Sequence, residues 1–231
     1  LVATVRALKM HGGVEKEDLK KENIDALKKG LPNLERHIKN IKKFGLEVVV
    51  AINYFITDTN SEIKIIKDYC LKLGIKVSLC THWSDGGNGT KDLAKNVVEL
   101  CEKNDKSKFK YLYSDKTPIL EKIEKIAKEI YQAKGIEVND TTKEQIKKIE
   151  EAGFGKFPVC IAKTQYSFST DPKLKGAPSG HTLSVREVRL SSGAEFLVVV
   201  CGSIMTMPGL PRIPAADNIR LNKKGDIEGL F

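Results

Sequence analysis

The sequence predicts an α/β fold, in which part of a parallel sheet covered by helices is followed by a smaller α+β domain. Three near-continuous apolar runs, at residues 1–8, 46–53 and 75–80, predict buried strands. Helical patterns separate these runs, and strand–helix alternation with apolar strands is typical of a parallel sheet covered on both faces. From about residue 113 the pattern changes to two helices and then short strands, which predicts domains at 1–112 and 113–231.

Three helices are predicted in the first domain. Residues 33–44 form one apolar stripe, made by Leu34, Ile38, Ile41 and Phe44. Residues 60–73 repeat this pattern, and Thr59 with Glu62 forms a Thr-x-x-Glu capping box that marks the start of the helix. Residues 91–102 predict the third helix, with its apolar side chains facing inward (Leu93, Val97 and Leu100).

The second domain is predicted to begin with two helices. Pro118 suits the first position of a helix that Gly135 would end. Thr141 and Glu144 predict the start of the next helix. Strands are then predicted in "PVCIAKT", "TLSVREVRL" and "AEFLVVVCGS", while "IMTMPGLPRIPAADNI" is too rich in proline for regular structure.

Composition narrows the class of protein. The 231 residues are 41% hydrophobic and 30% charged, as in a soluble globular protein, and no apolar run approaches the ~20 residues of a membrane helix. The formal net charge of +9 comes from scattered lysines rather than a basic stripe, so a nucleic-acid partner is not expected. Five cysteines in apolar contexts, without a CxxC pair, predict reduced core thiols in the cytoplasm, and the histidines show no metal-binding spacing.

Two aromatic side chains follow neighbouring predicted strands. Phe55 comes just after the run 46–53, and Trp83 just after the run 75–80. Ligands of open α/β sheets bind beyond the carboxyl ends of the strands. Two rings there could hold a flat heterocycle, each face contributing about 0.5–1.5 kcal/mol beyond buried area. The residues alone leave open the alternative that both rings fill a seam between the domains, because aromatic side chains are more often core.

Two glycine-containing loops are weaker candidates for a ligand site. "SDGGNGT" precedes a predicted helix, whose N-terminus could bind an anion, but the phosphate-loop pattern GxxxxGK[ST] does not occur in the chain. In "KLKGAPSGHTL", Gly176, Pro178 and Gly180 surround Ser179 and would let a ligand approach the backbone closely. An ordinary solvent loop or turn explains either composition equally well, and no Ser/His/Asp catalytic set is evident.

Six segments of the chain, taken together, resemble formate–tetrahydrofolate ligase, in the C-terminal part of its bacterial monofunctional form. The resemblance runs in order from Leu1 to Phe231. It is carried by "TVRALKMHGG", "VVVAINYFITDT", "CTHWSDGG", "GFGKFPVCIAKTQYSFSTDP", "GAPSGHTLSVREVRLSSGAEF" and "IMTMPGLPRIPAADNI".

This resemblance implies an ATP-dependent ligase that joins formate to N10 of tetrahydrofolate through formyl phosphate, giving 10-formyltetrahydrofolate, ADP and phosphate. ATP with Mg²⁺ and tetrahydrofolate are the implied substrates, and a monovalent cation is an implied additional ligand. The implied assembly is a cytoplasmic homotetramer, in which this chain continues an N-terminal part of the same enzyme.

Site residues also follow from the resemblance. It implies that Phe55 and Trp83 grip the pterin, with Leu79 as an apolar wall and Thr57 and Asp58 as a polar turn that meets pterin nitrogens. The loop formed by Gly176, Ala177, Pro178 and Ser179 resembles one that lies near the adenine.

The chain also departs from the family pattern. The family's phosphate loop and most residues that grip formyl phosphate are expected upstream of Leu1, so catalytic residues are not assigned and the chain is not expected to turn over alone. Glu195 stands where the family usually has glycine. An alternative interpretation is a separately made folate-binding or interaction module of a split enzyme, inactive without a phosphate-loop partner.

Overall fold

The computed structural model describes residues 1–103, 108–205, 211–225 and 227–229. Its first sheet has three parallel strands in the order β1-β2-β3, with β1 at Val2–Ala3, β2 at Val49–Asn53 and β3 at Lys76–Cys80. The register aligns Asn53 at the end of β2 with Cys80 at the end of β3. The predicted parallel α/β arrangement is therefore confirmed, and both strands end at the same edge of the sheet.

The predicted strand at residues 1–8 is wrong beyond its first residues. Only Val2–Ala3 is extended, and helix α1 (Val5–His11) follows at once. The Thr4 hydroxyl accepts a hydrogen bond from the Ala7 amide (3.0 Å), which is the usual role of threonine at a helix N-cap. Val5 and Leu8, three residues apart, are buried on one face of α1. A cap and a three-residue spacing therefore outweigh the β-branched residues in this run.

Helix α2 (Ile24–Lys42) begins well before the predicted residue 33, and Pro32 lies inside it. The Asn23 side chain accepts a hydrogen bond from the Ala26 amide and fixes the start. Helix α3 (Asn60–Lys72) begins as predicted, and the capping box of Thr59 and Glu62 is confirmed.

The loop after β3 contains a short helix, α4 (His82–Asp85), before helix α5 (Lys91–Lys103). Helix α5 packs against β2 and β3, but its predicted inward stripe is wrong in part. None of its described residues is buried, and Val97 is 42% exposed. Within the described residues, this face of the sheet is therefore covered only loosely.

The second sheet is mixed, in the order β4-β6-β7-β5. Its strands are β4 (Gly135–Val138), β5 (Val159–Ala162), β6 (Thr182–Ser191) and β7 (Phe196–Cys201), and helices α6 (Ile119–Glu129) and α7 (Asp140–Glu151) accompany it. The three predicted strands are confirmed, whereas β4 was missed, because Gly135 opens a strand instead of ending a helix. Helix α7 is capped by Asn139 rather than by the predicted pair Thr141 and Glu144.

Two separate apolar cores accompany the two sheets. One draws on residues 3–75 and the other on residues 119–201, while the boundary at residue 112 stays a prediction. Cys70, Cys80 and Cys201 are buried and unpaired, but Cys101 and Cys160 are exposed, so the expectation of core thiols holds for three of five.

The proline-rich stretch near the C-terminus lies partly outside the described residues, at 206–210. After it, β8 (Arg220–Leu221) and β9 (Ile227–Glu228) form a small antiparallel pair. Among the described residues, no helix is long and apolar enough to cross a membrane.

Candidate ligand-binding site

The candidate site lies at the carboxyl edge of the first sheet. Phe55 follows β2 by two residues and Trp83 follows β3 by three, and the amide of Tyr54 donates to the Cys80 carbonyl (3.1 Å). The two chain segments are thus still joined where they leave the sheet. The structure brings both aromatic residues to one edge, and among the described ring pairs they make no direct contact with each other.

A tight turn fixes the backbone of Phe55. Its amide donates to Oδ2 of Asp58 (2.9 Å), and the Asp58 amide donates to the Phe55 carbonyl (2.8 Å). Of the two residues between them, Thr57 is half-buried, whereas Ile56 is 78% exposed. Asp58 therefore shapes the turn that presents the Phe55 ring.

Arg6, at the start of α1, covers one face of Phe55. Its guanidinium carbon lies 5.0 Å from the centre of the half-buried ring, which is within the range of a cation–π contact. One face of the ring is thereby occupied within the chain. The sequence prediction missed Arg6, because a strand was expected where α1 lies.

Trp83 lies in the short helix α4 and is 56% exposed. The Thr81 hydroxyl donates to Asp85 (2.5 Å) across this turn, and the Thr81 amide donates to the Gly89 carbonyl (3.2 Å). A side chain at Gly89 would meet the Thr81 backbone at 2.6 Å, so the following loop folds back tightly. The turn is ordered around Trp83 while much of the indole stays open to solvent.

Beside these rings the edge of the sheet is open and polar. Leu79, the half-buried penultimate residue of β3, lines a cavity of about 640 Å³ together with residues of α4, the following loop and α5. The other lining residues are Thr81, Asp85, Asn88, Gly89, Lys91, Asp92 and Lys95. This lining is mainly polar and charged and includes neither Phe55 nor Trp83, so the cavity suits the polar groups of a ligand rather than a stacked ring.

Asp58 is buried, and its second oxygen, Oδ1, has no hydrogen-bond partner among the described residues. Burial raises the pKa of this carboxyl. The hydrogen bond from the Phe55 amide opposes this shift, and the nearby charge of Glu62 adds to it. A carboxylate that is costly to ionise and incompletely satisfied can accept a hydrogen bond if a ligand reaches it.

A buried ion pair joins the helices next to this edge of the sheet. Lys9 Nζ lies 2.9 Å from Glu62, and both side chains are almost fully excluded from solvent. Glu62 also accepts the amides of Thr59 and Asn23 (3.1 Å each), while Lys9 donates to the Lys21 carbonyl (2.9 Å). The pair therefore ties α1 and the start of α2 to the N-terminus of α3.

The loop at Gly176–Ser179 is docked on α2 through its backbone. Asn33 donates to the carbonyl of Gly176 (2.8 Å), and the Arg36 guanidinium donates to those of Ala177 (3.2 Å) and Pro178 (3.3 Å). Three successive carbonyls are thus occupied within the chain. These hydrogen bonds hold the loop against α2, and its role in binding a nucleotide stays a prediction.

Metal ligation was not expected from the sequence. In the part of the chain that the structure describes, no group of three or more His, Cys, Asp or Glu side chains is arranged to hold a metal ion. A Mg²⁺ site is therefore not assigned to the described residues.

Comparison with known proteins places the chain in one family. The sequence model of the family described as "Formate--tetrahydrofolate ligase" matches residues 1–231. Proteins of that name from Pelagibacter ubique and Hyphomonas neptunium are 64% and 59% identical to it, and one from Roseobacter denitrificans is 58% identical. In each case the whole chain is covered, but it spans only 41% of the relative's length.

Proposed function

Because the chain belongs to the formate–tetrahydrofolate ligase family, we propose that it forms part of an enzyme that joins formate to tetrahydrofolate at the expense of ATP. The proposed role of this part is to bind the pterin of tetrahydrofolate. Since the chain spans 41% of its relatives' length, the complete reaction is assigned to the whole protein and not to these residues alone.

The proposed reaction has two steps. A formate oxygen attacks the γ-phosphorus of ATP, the bond to the β-phosphate oxygen breaks, and formyl phosphate and ADP form. The N10 amine of tetrahydrofolate then attacks the formyl carbon, phosphate leaves with the bonding electron pair, and the amine loses its proton. Splitting the reaction in this way activates a carboxylate that an amine would not otherwise attack.

The register of β2 and β3 is the observation that carries the pterin assignment. It aligns Asn53 with Cys80, so Phe55 and Trp83 leave the sheet side by side at its carboxyl edge. Phe55 is only half-buried and Trp83 is 56% exposed, so both residues keep surface that a ligand could contact. A pterin stacked between them would gain the aromatic contacts that favour flat heterocycles.

Polar groups at the same edge support recognition of the pterin nitrogens. Thr57 is half-buried in the turn, and Asp58 holds a carboxylate oxygen without a partner among the described residues. Leu79 supplies the apolar side of the adjoining cavity. In this proposal Asp58 has two roles. Oδ1 accepts a hydrogen bond from a pterin nitrogen, and Oδ2 accepts the Phe55 amide and so shapes the turn.

Most of the ATP-binding site is proposed to lie in the part of the whole protein outside this chain. The sequence contains no GxxxxGK[ST] phosphate loop, so the ATP phosphates, Mg²⁺ and a monovalent cation are proposed to bind elsewhere in the whole protein. We assign only an adenine contact to the loop at residues 176–179. A cytoplasmic homotetramer is the proposed working form.

The pterin assignment is tested in a full-length protein that carries this chain. Phe55→Ala and Trp83→Ala are each expected to raise the KM for tetrahydrofolate about tenfold, because each removes one stacked face. The KM for ATP should change little. Tyr111→Ala serves as a control, because it removes an 80% exposed ring next to Lys110, whose amide donates to the Phe44 carbonyl before β2 begins.

Wild-type KM values for tetrahydrofolate in both variants would contradict the stacking of the pterin between Phe55 and Trp83. An equal rise in the KM values for tetrahydrofolate and ATP would instead indicate general disruption of the fold. Circular dichroism and thermal unfolding of each variant separate that outcome from loss of a ligand contact.

A further inference from the structure

A second cavity, of about 270 Å³, lies between α2 and the segment that follows β5. We call it the basic cavity. It is lined by His11, Asn33, His37, Tyr131, Ile161, Lys163, Thr164, Gln165, Ser167 and Phe168. None of these lining residues is acidic, although the chain carries 30 aspartates and glutamates. The cavity therefore concentrates positive charge without a counter-charge in its wall.

Lys163 is the principal cation of the basic cavity. Its ammonium group donates to the carbonyls of Thr164 (3.1 Å) and Ser167 and lies 4.9 Å from the centre of the Tyr131 ring. It forms no ion pair with any described carboxylate. A partly buried ammonium group loses hydration, and neutral carbonyls compensate for that loss less well than an anion would.

Two imidazoles add hydrogen-bond donors. His11 Nδ1 accepts the amide of Gly176 (3.2 Å), so the proton of the neutral ring lies on Nε2. His37 lies against the buried ring of Phe168, with a centroid separation of 4.6 Å and a tilt of 40°. Both rings are held in place, and both line the cavity.

The surrounding charges are all of one sign. Burial, and then the charges of Lys163 and Arg36, lower the pKa of His37, and the same charges act on His181. Burial, Lys175 and His37 lower the pKa of His11. The fixed cations among these groups are Arg36 on α2, Lys163 after β5 and Lys175 beside Gly176, so three elements around the cavity contribute positive potential. Such a field concentrates small anions.

We propose that the basic cavity is a binding site for a doubly charged oxyanion of the phosphate or sulfate class. Lys163 supplies the fixed charge, His11 supplies the N–H of its Nε2 as a donor, and His37 supplies a donor that gains a proton when the anion enters. A dianion is favoured over a formate-like monoanion, because attraction to a cluster of cations grows with the charge of the ligand. This inference goes beyond the proposed ligase function and does not depend on it.

Sulfate is the best first probe, because it remains a dianion throughout the neutral pH range. Isothermal titration of the chain with sodium sulfate, at ionic strength held constant with chloride, is expected to give saturable millimolar binding and net proton uptake at about pH 7. Burial lowers the pKa of Lys163 to about 8, so sulfate affinity should fall as the pH rises through that value. Inorganic phosphate should compete for the same site, whereas formate at equal concentration should not.

Variants connect the binding to named groups. Lys163→Met removes the charge but keeps the length of the side chain, and it should weaken sulfate binding at least tenfold. His37→Gln removes an imidazole from the wall of the cavity, and it should weaken sulfate binding about threefold and reduce the proton uptake. Lys147→Met removes an equally charged but 66% exposed side chain of α7 and should leave binding unchanged.

Several outcomes would overturn the proposal. One is sulfate binding that is equal in the wild type and Lys163→Met, and another is heat release that chloride reproduces. If Lys163→Met fails to fold, His37→Gln decides, and unchanged affinity and proton uptake in that variant reject the site.

ADP at equal concentration distinguishes free phosphate from a phosphoryl group on a larger molecule, since only the latter source predicts tighter binding of ADP than of phosphate.

Discussion

Phe55 and Asp58 hold each other in place through two hydrogen bonds, one from the Phe55 amide to the Asp58 carboxylate and one from the Asp58 amide to the Phe55 carbonyl. The turn at the end of β2 is thereby closed by its own residues. Phe55 thus has a fixed backbone before any ligand arrives, and a preformed site loses less conformational entropy on binding.

Asp58→Asn and Asp58→Ala should have different effects on stability. Asparagine can still accept the Phe55 amide and removes a charge that is costly to bury, so stability at neutral pH should be unchanged or higher. Alanine leaves that amide without its partner and should cost about 1–2 kcal/mol. Urea unfolding of the two variants checks this, and equal losses would contradict the hydrogen-bond role.

The pH dependence of the same variant has a definite sign. Because the pKa of Asp58 is raised in the folded protein, its contribution favours folding at low pH and is lost as the pH rises through the folded pKa. Asp58→Asn should therefore gain stability relative to the wild type as the pH rises from about 4 to 7. A constant difference over that range would show that Asp58 ionises normally.

Glu62→Gln should destabilise the fold by about 3–5 kcal/mol, because it leaves Lys9 charged and buried without its counter-charge. Burial alone would raise the pKa of Glu62, but the hydrogen bonds from Lys9, Thr59 and Asn23 lower it overall. Its stabilisation is thus present above the unfolded pKa and is lost as the pH falls through the folded pKa.

The exposed ion pair of Lys64 and Asp68 in the same helix gives the control. Asp68→Asn should change the free energy of unfolding by less than about 0.5 kcal/mol. A similarly small effect of Glu62→Gln would mean that the Lys9 ammonium group is satisfied without its carboxylate.

Gly30→Ala should destabilise the protein, although alanine normally favours a helix interior by about 1 kcal/mol over glycine. A Cβ atom at Gly30 would lie 1.9 Å from the Leu8 carbonyl oxygen, where α1 crosses α2. Forcing these helices apart should cost about 3 kcal/mol. Gly135→Ala, with nothing within 4 Å of the added atom, should be close to neutral by thermal unfolding. Similar effects at both positions would argue against the close crossing.

Arg6→Gln should weaken tetrahydrofolate binding in the full-length protein by about two- to fivefold, because the guanidinium no longer orders the Phe55 ring. Stability should hardly change, since Arg6 is half-buried and forms no ion pair with a described residue. Arg6→Lys should restore part of the affinity. A larger effect on ATP than on tetrahydrofolate would reject this positioning role.

The sequence predicted the parts of the fold that depend on local patterns. The sequence correctly predicted the capping box at Thr59 and the two strands that precede Phe55 and Trp83. It also predicted the family correctly. These features follow from spacing within a few residues or from segments that can be compared directly.

Features that depend on tertiary contacts were missed. The run after Leu1 resembles a strand, yet Thr4 caps a helix there, and only that helix brings Arg6 to Phe55 and Lys9 to Glu62. The lysine of a buried ion pair looks like any surface lysine in a sequence. Glu195 adopts a left-handed conformation, with φ of 56°, which a residue with a side chain rarely adopts, so the backbone is strained at this turn.

The central claim is that Phe55 and Trp83 share one flat ligand, and fluorescence of Trp83, the only tryptophan, tests it most directly. Titration of the chain with tetrahydrofolate should quench the indole fluorescence saturably. Phe55→Ala should raise the tetrahydrofolate concentration at half-saturation about tenfold. Ligand absorption is corrected with free tryptophan at matched absorbance. Quenching that is no greater than for free tryptophan, or that Phe55→Ala leaves unchanged, would contradict a site formed by the two rings.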